Sequence, residues 1–265
     1  MTDAILEFYY GTGWHWPVPY LPRVMLSYNM IRHLKHPWTI NKPWMLDSGA
    51  YAIMLQRGSY QWTVQDYANS IGEWKPDIAW TMDYPCEPAV RAHGRYTVRQ
   101  AQEKTNQNTV ELERLGVKVS NVVQGWNLDE YMQNLDLIKE RGLLTERFGI
   151  GSICRRGKTS QISRIIRAVH REVPSWVKLH GFGVKISILS TDNIHRLYSA
   201  DSISWNIERR YYSWTKNNNK GLKWQQKVPA LLSYISKIKR MTAPDEHQTS
   251  LISILRETNP MEVVS

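Results

Sequence analysis

The chain has 265 residues and a net charge of +10, from 34 Lys and Arg against 24 Asp and Glu. It contains no apolar run near the roughly 20 residues that span a bilayer, lacks the basic-then-apolar opening of a secretory leader, and has two cysteines, too few for a disulfide framework or a four-cysteine zinc site. A cytoplasmic protein is therefore expected (the host's cytoplasm if phage-encoded), and its charge favours a polyanionic partner bound through phosphates, the alternative being a basic protein with no such partner.

Along the chain, short apolar or β-branched runs alternate with longer amphipathic stretches. A first strand is predicted at 5–10, followed by a Trp- and Pro-rich connection, 11–22, with no helical period. Strands at 23–28 and 44–48 come next, then a helix at 63–74 that Thr63 opens as a cap. A strand at 78–83 leads to a helix at 95–115, which Gly116 closes. The pattern continues with a strand at 119–125 and a helix at 129–141, opened by Asp129 and closed by Gly142. Strand 147–152, helix 160–173, strand 177–183, a helix at 191–197 capped by Thr191-Asp192, and strand 200–205 complete the series. A last helix, 228–241, is expected to close the assembly, with a loosely held tail from Thr242. Strands alternating with helices imply parallel pairing through right-handed crossovers. Eight of them in a chain near the about 250 residues of an α/β barrel predict an α/β fold, a single (β/α)8 TIM barrel over residues 1–265.

Such a barrel carries its chemistry at the C-terminal ends of its strands. Asp47, Asp83, Gln124, Gly151, His180 and Asp201 each fall at or just after the end of a different predicted strand. Any one of them alone reads as a helix or turn cap, and six together read as one mouth. Asp47, ahead of Ser48-Gly49, could still cap its turn, Asp201 could pair with Arg209, and His180 could satisfy a backbone group. Ser48 and Ser202 lack a His partner for triad chemistry, and His93, His170 and His195 show no metal-ligand spacing. Cys154, beside Arg155 and Arg156, could carry a lowered thiol pKa. After the last strand, residues 206–227 interleave Arg209, Arg210, Lys216, Lys220, Lys223 and Lys227 with Tyr211, Tyr212, Trp214 and Trp224. That segment is expected to hold phosphates and stack on bases, or else to be a solvated loop with a few packing rings. Twelve Trp against three Phe fit stacking surfaces equally well as a core.

Five local motifs carry a resemblance: DSG with a following aromatic (Asp47 to Tyr51), the strand ending in Asp83, VQG ending at Gly125, the I-G-S turn at Gly151-Ser152, and LHGFG ending at Gly183 before a late Asp201. In this order, from about Trp44 to Asn206, they resemble the tRNA-guanine transglycosylase superfamily. The family's usual glycine pair is here Gly151-Ser152, its F-D-C run is Ala200-Asp201-Ser202, and its cysteine-rich zinc subdomain is missing. A short, basic, zinc-less relative is most similar to the phage and bacterial enzymes that insert 7-deazaguanine bases into DNA. The resemblance implies exchange of guanine in DNA for 7-cyano-7-deazaguanine or a relative, with tRNA as the alternative substrate and a non-catalytic nucleic-acid-binding barrel as a second. It implies Asp201 as nucleophile and Asp47 as general acid/base. Asp83, Gln124, Gly125, Gly151, Ser152, Tyr51, Ser48 and His180 would surround the base, with Gln124 and the Ser152 N–H donating to O6, Gly151 admitting the base, and Tyr51 and His180 near its faces. No ATP or nicotinamide motif is found, so no cofactor is expected, and the free base is the second substrate.

Overall fold

The computed structural model describes residues 6–205 and 224–243. Eight parallel strands form one sheet: β1 (Glu7–Thr12), β2 (Val24–Ser27), β3 (Trp44–Asp47), β4 (Ile78–Ala79), β5 (Val122–Val123), β6 (Arg147–Ile150), β7 (Lys178–Gly181) and β8 (Ser199–Ser202). Their order is β4-β3-β2-β1-β8-β7-β6-β5, so β1 pairs with both β2 and β8 and the sheet curls back on itself. Helices follow the strands: α1 (Tyr28–Ile31), α2 (Ala50–Arg57), α3 (Val64–Trp74), α4 (Pro88–Gly94), α5 (Val98–Arg114), α6 (Leu128–Glu140), α7 (Thr159–Glu172), α8 (Ile186–Leu189) and α9 (Trp224–Thr242). None of the helices among the described residues is long and apolar enough to cross a membrane.

The expected closed barrel is corrected in one respect: the fold is TIM-like, but its ladder is open between β4 and β5. Only a bridge between Trp80 and Ser120 joins the two ends, through Ser120 N–H to the Ala79 carbonyl (2.8 Å) and Thr81 N–H to the Ser120 carbonyl (3.0 Å). Side chains have taken the backbone groups that a longer ladder would use. Asn121 Oδ1 accepts from Val122 N–H (2.8 Å), Thr145 Oγ1 from Asn121 N–H (3.0 Å), and Thr105 Oγ1 from Tyr84 N–H (2.9 Å). Asn108 Nδ2 donates to the Met82 carbonyl at 2.6 Å. The strands expected at 78–83 and 119–125 therefore shorten to two residues each.

Alternation along the strands sorts side chains into two cores. Phe8, Tyr10, Val24, Leu26, Trp44, Leu46, Leu179 and Ala200 pack outward against the helices. Tyr9, Met25, Met45, Trp80 and Val122 fill the interior of the curled sheet. Asp47 shares the inward face with Met45, and Asp201 pairs in register with inward-facing Tyr9. Most tryptophans have structural neighbours: Trp74 packs edge-on against Trp38 and Trp44, and Trp205 donates its indole N–H to the Gly11 carbonyl at 2.9 Å while meeting Trp16.

Capping chemistry sets the helix starts. Thr63 and Thr97 each form a capping box, with Asp66 and Gln100. The helix expected from residue 95 starts at Val98 instead, because Arg95 sits at φ 54 and ends the separate helix α4. Asn127 rather than Asp129 caps α6, two residues earlier than expected. The stretch at 191–197 is a short 3-10 turn, Asp192–His195, with Thr191 accepting from Asn193 N–H. The last helix is already formed at Trp224, ahead of the expected residue 228, and carries Pro229 inside it at the loss of one intrahelical donor. Tyr67 of α3 is fully buried, and its hydroxyl donates to the Trp80 carbonyl at 2.9 Å, beside the open seam. Tyr67→Phe leaves that carbonyl without its partner and is expected to cost about 1 kcal/mol, read as a lower urea midpoint with unchanged slope.

Candidate active site

Three carboxyl side chains meet above the inner core. Asp47 ends β3, Asp83 follows β4, and Asp201 lies in β8. Asp47 is held by its turn: Gly49 N–H donates to its Oδ2 at 3.0 Å, the capping contact the sequence allowed. Gly49 itself sits at φ 79, and a Cβ there would lie 2.5 Å from both the Asn29 Cβ and the Ser27 Oγ, so only glycine turns the chain at this point. Asp201 Oδ1 accepts from Gly183 N–H at 2.8 Å and faces His180 Nε2 at 3.3 Å. His180, expected beside the base, is fully buried, with its ring against Trp80 (4.8 Å) and Phe182 (4.7 Å). Its Nδ1 meets Ser199 Oγ at 2.9 Å, so an Nε2–H tautomer turned toward Asp201 satisfies both nitrogens.

Asp83 is held from several sides. Ser48 Oγ donates to its Oδ1 (3.1 Å), Gln124 Nε2 donates to its Oδ2, and the Tyr60 hydroxyl donates to its carbonyl (2.7 Å) while lying 3.0 Å from Ser48 Oγ. Gln124 is fully buried, and its Oε1 meets Ser152 Oγ at 2.7 Å. Gly151 was expected to make room for a base. The space beside it is taken by Gln124, since a Cβ on Gly151 would lie 2.3 Å from Gln124 Nε2. Ser152 sits at φ 54, pinned by Arg156 Nε donating to its carbonyl at 3.1 Å. Arg156 also reaches the Gly125 carbonyl at 3.4 Å. Tyr51, on α2, lies under the Arg155 guanidinium at 5.1 Å. Arg209, Arg210, Lys216, Lys220, Lys223 and Trp214 lie outside the described residues, and the remainder of the expected contact segment, residues 224–227, opens α9.

Burial, reinforced by the Asp83 and Asp201 charges, pushes the Asp47 carboxyl up to about 8. Burial also pushes Asp83 up to about 7, against the lowering effect of the Ser48 hydrogen bond. Glu87, at the start of α4, was not foreseen: it is buried, lies 2.8 Å from Ser152 Oγ, and burial raises its carboxyl too. A Glu followed by Pro88 reads in the sequence as an ordinary helix opening, and no signal there distinguishes it. The lowered thiol expected for Cys154 is corrected: burial, with Glu87 beside it, pushes the thiol up despite Arg155. No group of three or more His, Cys, Asp or Glu side chains is arranged to hold a metal among the described residues, and Cys86 and Cys154, both with raised thiols, do not fit the superfamily's zinc site.

The sequence profile of one protein family, DpdA (deoxypurine in DNA protein A), matches residues 16–233, from the first connection into the last helix. The chain belongs to the DpdA family. DpdA proteins are DNA-guanine transglycosylases related to the tRNA-guanine transglycosylase family, which agrees with the resemblance carried by the strand-end motifs. A comparison with curated proteins gives no match.

Two outcomes follow for this DpdA chain. An unfolded Asp47 titrates near 3.8 and the folded one near 8, so the folded state holds the extra proton between those values and loses stability as pH rises through them. Asp47→Asn is expected to raise the urea midpoint relative to wild type near pH 8 and to leave it unchanged near pH 4. Gly151→Ala drives a methyl group into the Gln124 amide and is expected to cost about 1–3 kcal/mol, measured by the same unfolding titration.

Proposed function

We propose that this DpdA protein exchanges guanine in DNA for a 7-deazaguanine base, 7-cyano-7-deazaguanine or a relative, through a covalent Asp201–sugar intermediate. The observation that carries this reading is the convergence of Asp47, with its raised carboxyl, and Asp201 on one mouth of the sheet. Among the described residues both hydrogen-bond contacts to Asp201 fall on Oδ1, which leaves Oδ2 to attack C1′ of the target nucleoside. The C1′–N9 bond breaks, the C1′–Oδ2 ester forms, and the leaving guanine takes the proton of Asp47. The incoming base returns a proton to Asp47 as its N9 attacks C1′ and releases Asp201. His180 and Gly183 hold the nucleophile in place, a different role from the base contact expected of His180.

Asp83 accepts from the N1–H and exocyclic amine of guanine, an edge that a 7-deaza base keeps unchanged. Gln124 gives one amide hydrogen to Asp83 and leaves the other for O6, alongside the Ser152 backbone N–H. Ser48 and Tyr60 orient Asp83, and Tyr51 stacks on the purine. The whole chain serves as a single domain, whose segment 206–227 holds the DNA backbone with Arg209, Arg210, Lys216, Lys220 and Lys223 and stacks Trp214 on a base. The target base leaves the helical stack to enter the mouth, at a cost of a few kcal/mol.

The test is incubation of the protein with guanine-labelled duplex DNA, and separately with guanine-labelled tRNA, in the presence of 7-cyano-7-deazaguanine. Guanine is expected to leave DNA alone, with release slowing above about pH 8 as Asp47 loses its proton. Asp201→Asn is expected to lower release by several orders of magnitude and to abolish the protein–DNA adduct on a denaturing gel. Release from tRNA alone, or an adduct that survives Asp201→Asn, overturns the proposal.

A further inference from the structure

Hydrogen bonds behind Asp83 form a chain that ends on a second carboxyl. Asp83 Oδ2 meets Gln124 Nε2, Gln124 Oε1 meets Ser152 Oγ at 2.7 Å, and Ser152 Oγ meets Glu87 Oε2 at 2.8 Å. Ser152 Oγ also accepts from Cys86 N–H at 2.7 Å. A serine hydroxyl has one hydrogen, yet two oxygens here stand where that hydrogen would go. If both carboxyls were ionised, one of those oxygens would face a lone pair in a buried site. The conflict vanishes when Glu87 carries a proton. Glu87 Oε2–H then donates to Ser152, Ser152 donates to Gln124 Oε1, and Gln124 donates to Asp83. Glu87 Oε1 stays an acceptor for the Cys154 thiol, 3.7 Å away. The reverse arrangement, with Glu87 ionised and Gln124 turned over, sets an amide oxygen against Asp83 and requires the proton to sit on Asp83.

We propose that Glu87 is the positioning residue that keeps Asp83 an ionised acceptor: by holding the proton itself, it fixes Gln124 with its amide group toward Asp83. This rests on the reading of Asp83 as the group that binds guanine. Other titratable or charged groups near Glu87 are Cys86 and Asp83 on its own segment, Cys154 and Arg156 after β6, Tyr51 on α2, Tyr96 after α4 and Tyr131 on α6. Of these Arg156 favours ionisation of Glu87, and burial opposes it as the larger influence. The neutral form is thus consistent with the surroundings as well as with the hydrogen count. As pH rises and Glu87 loses its proton, Gln124 loses its fixed orientation and base affinity falls.

The experiment measures binding of 7-cyano-7-deazaguanine to the full chain from pH 6 to 9 for wild type, Glu87→Gln, Glu87→Ala and Asp83→Asn. Glu87→Gln keeps a donor toward Ser152 and is expected to bind like wild type at neutral pH without the wild-type loss on the alkaline side. Glu87→Ala is expected to lose roughly ten-fold in affinity. Infrared spectra at neutral pH, taken as wild type minus Glu87→Gln so that the protonated Asp47 cancels, are expected to leave a protonated-carboxyl band. The proposal falls if no such difference band remains, or if Glu87→Gln keeps the alkaline loss or binds as weakly as Glu87→Ala. Wild-type affinity in Asp83→Asn marks a different failure, that of Asp83 as the base-binding group, and removes the proposal with it. The infrared band reads the protonation of Glu87 independently of binding, so a variant that folds poorly does not leave the question open.

Discussion

Acids at the ends of β3, β4 and β8 force negative charge into one poorly hydrated volume, and much of the surrounding structure answers that repulsion. Burial alone would drive every carboxyl there toward its neutral form. The fold gives each a different set of partners. Asp201 receives a backbone donor and a histidine, Asp83 receives a hydroxyl and an amide, and Asp47 receives its own turn together with the fields of the other two. In the proposed reaction, distinct surroundings for like groups let one set of carboxylates divide nucleophilic, acidic and accepting work.

The strand alternation explains why these acids were legible in the sequence. A residue two positions beyond a core side chain shares its face, so Asp47 follows Met45 into the interior, and the polar ends of successive strands converge. Eight strands and the longer helices could be read from periodicity alone. The two strands at the seam were read too long, because Thr105, Asn108, Asn121 and Thr145 compete for their backbone groups from distant positions, and a local pattern does not reveal that competition. Helix α2 begins directly after the Gly49 turn without a side-chain cap, so it carries no start signal.

In the site, what the sequence hid was the layer behind the acids. Glycine at 151 reads as space for a ligand, but its absent side chain is filled by Gln124. His180 reads as a contact for substrate, but lies sealed among aromatic rings. Glu87 and Tyr60 reach Ser152 and Asp83 across long stretches of chain, and only the folded arrangement brings them there. Part of the abundance of tryptophan, open to a stacking interpretation, is accounted for by the mutual packing of Trp16 with Trp205 and of Trp74 with Trp38 and Trp44.

The open seam gives the Asp83–Gln124 hydrogen bond a second meaning. Asp83 leaves from the β4 side and Gln124 from the β5 side, so their bond straddles the one place where the ladder is reduced to a single bridge. It acts there as a staple between the two ends of one curled sheet, β4 and β5. A base bound at Asp83 as proposed shares that carboxylate with the Gln124 amide, so occupancy of the mouth and cohesion of the seam rest on one side chain.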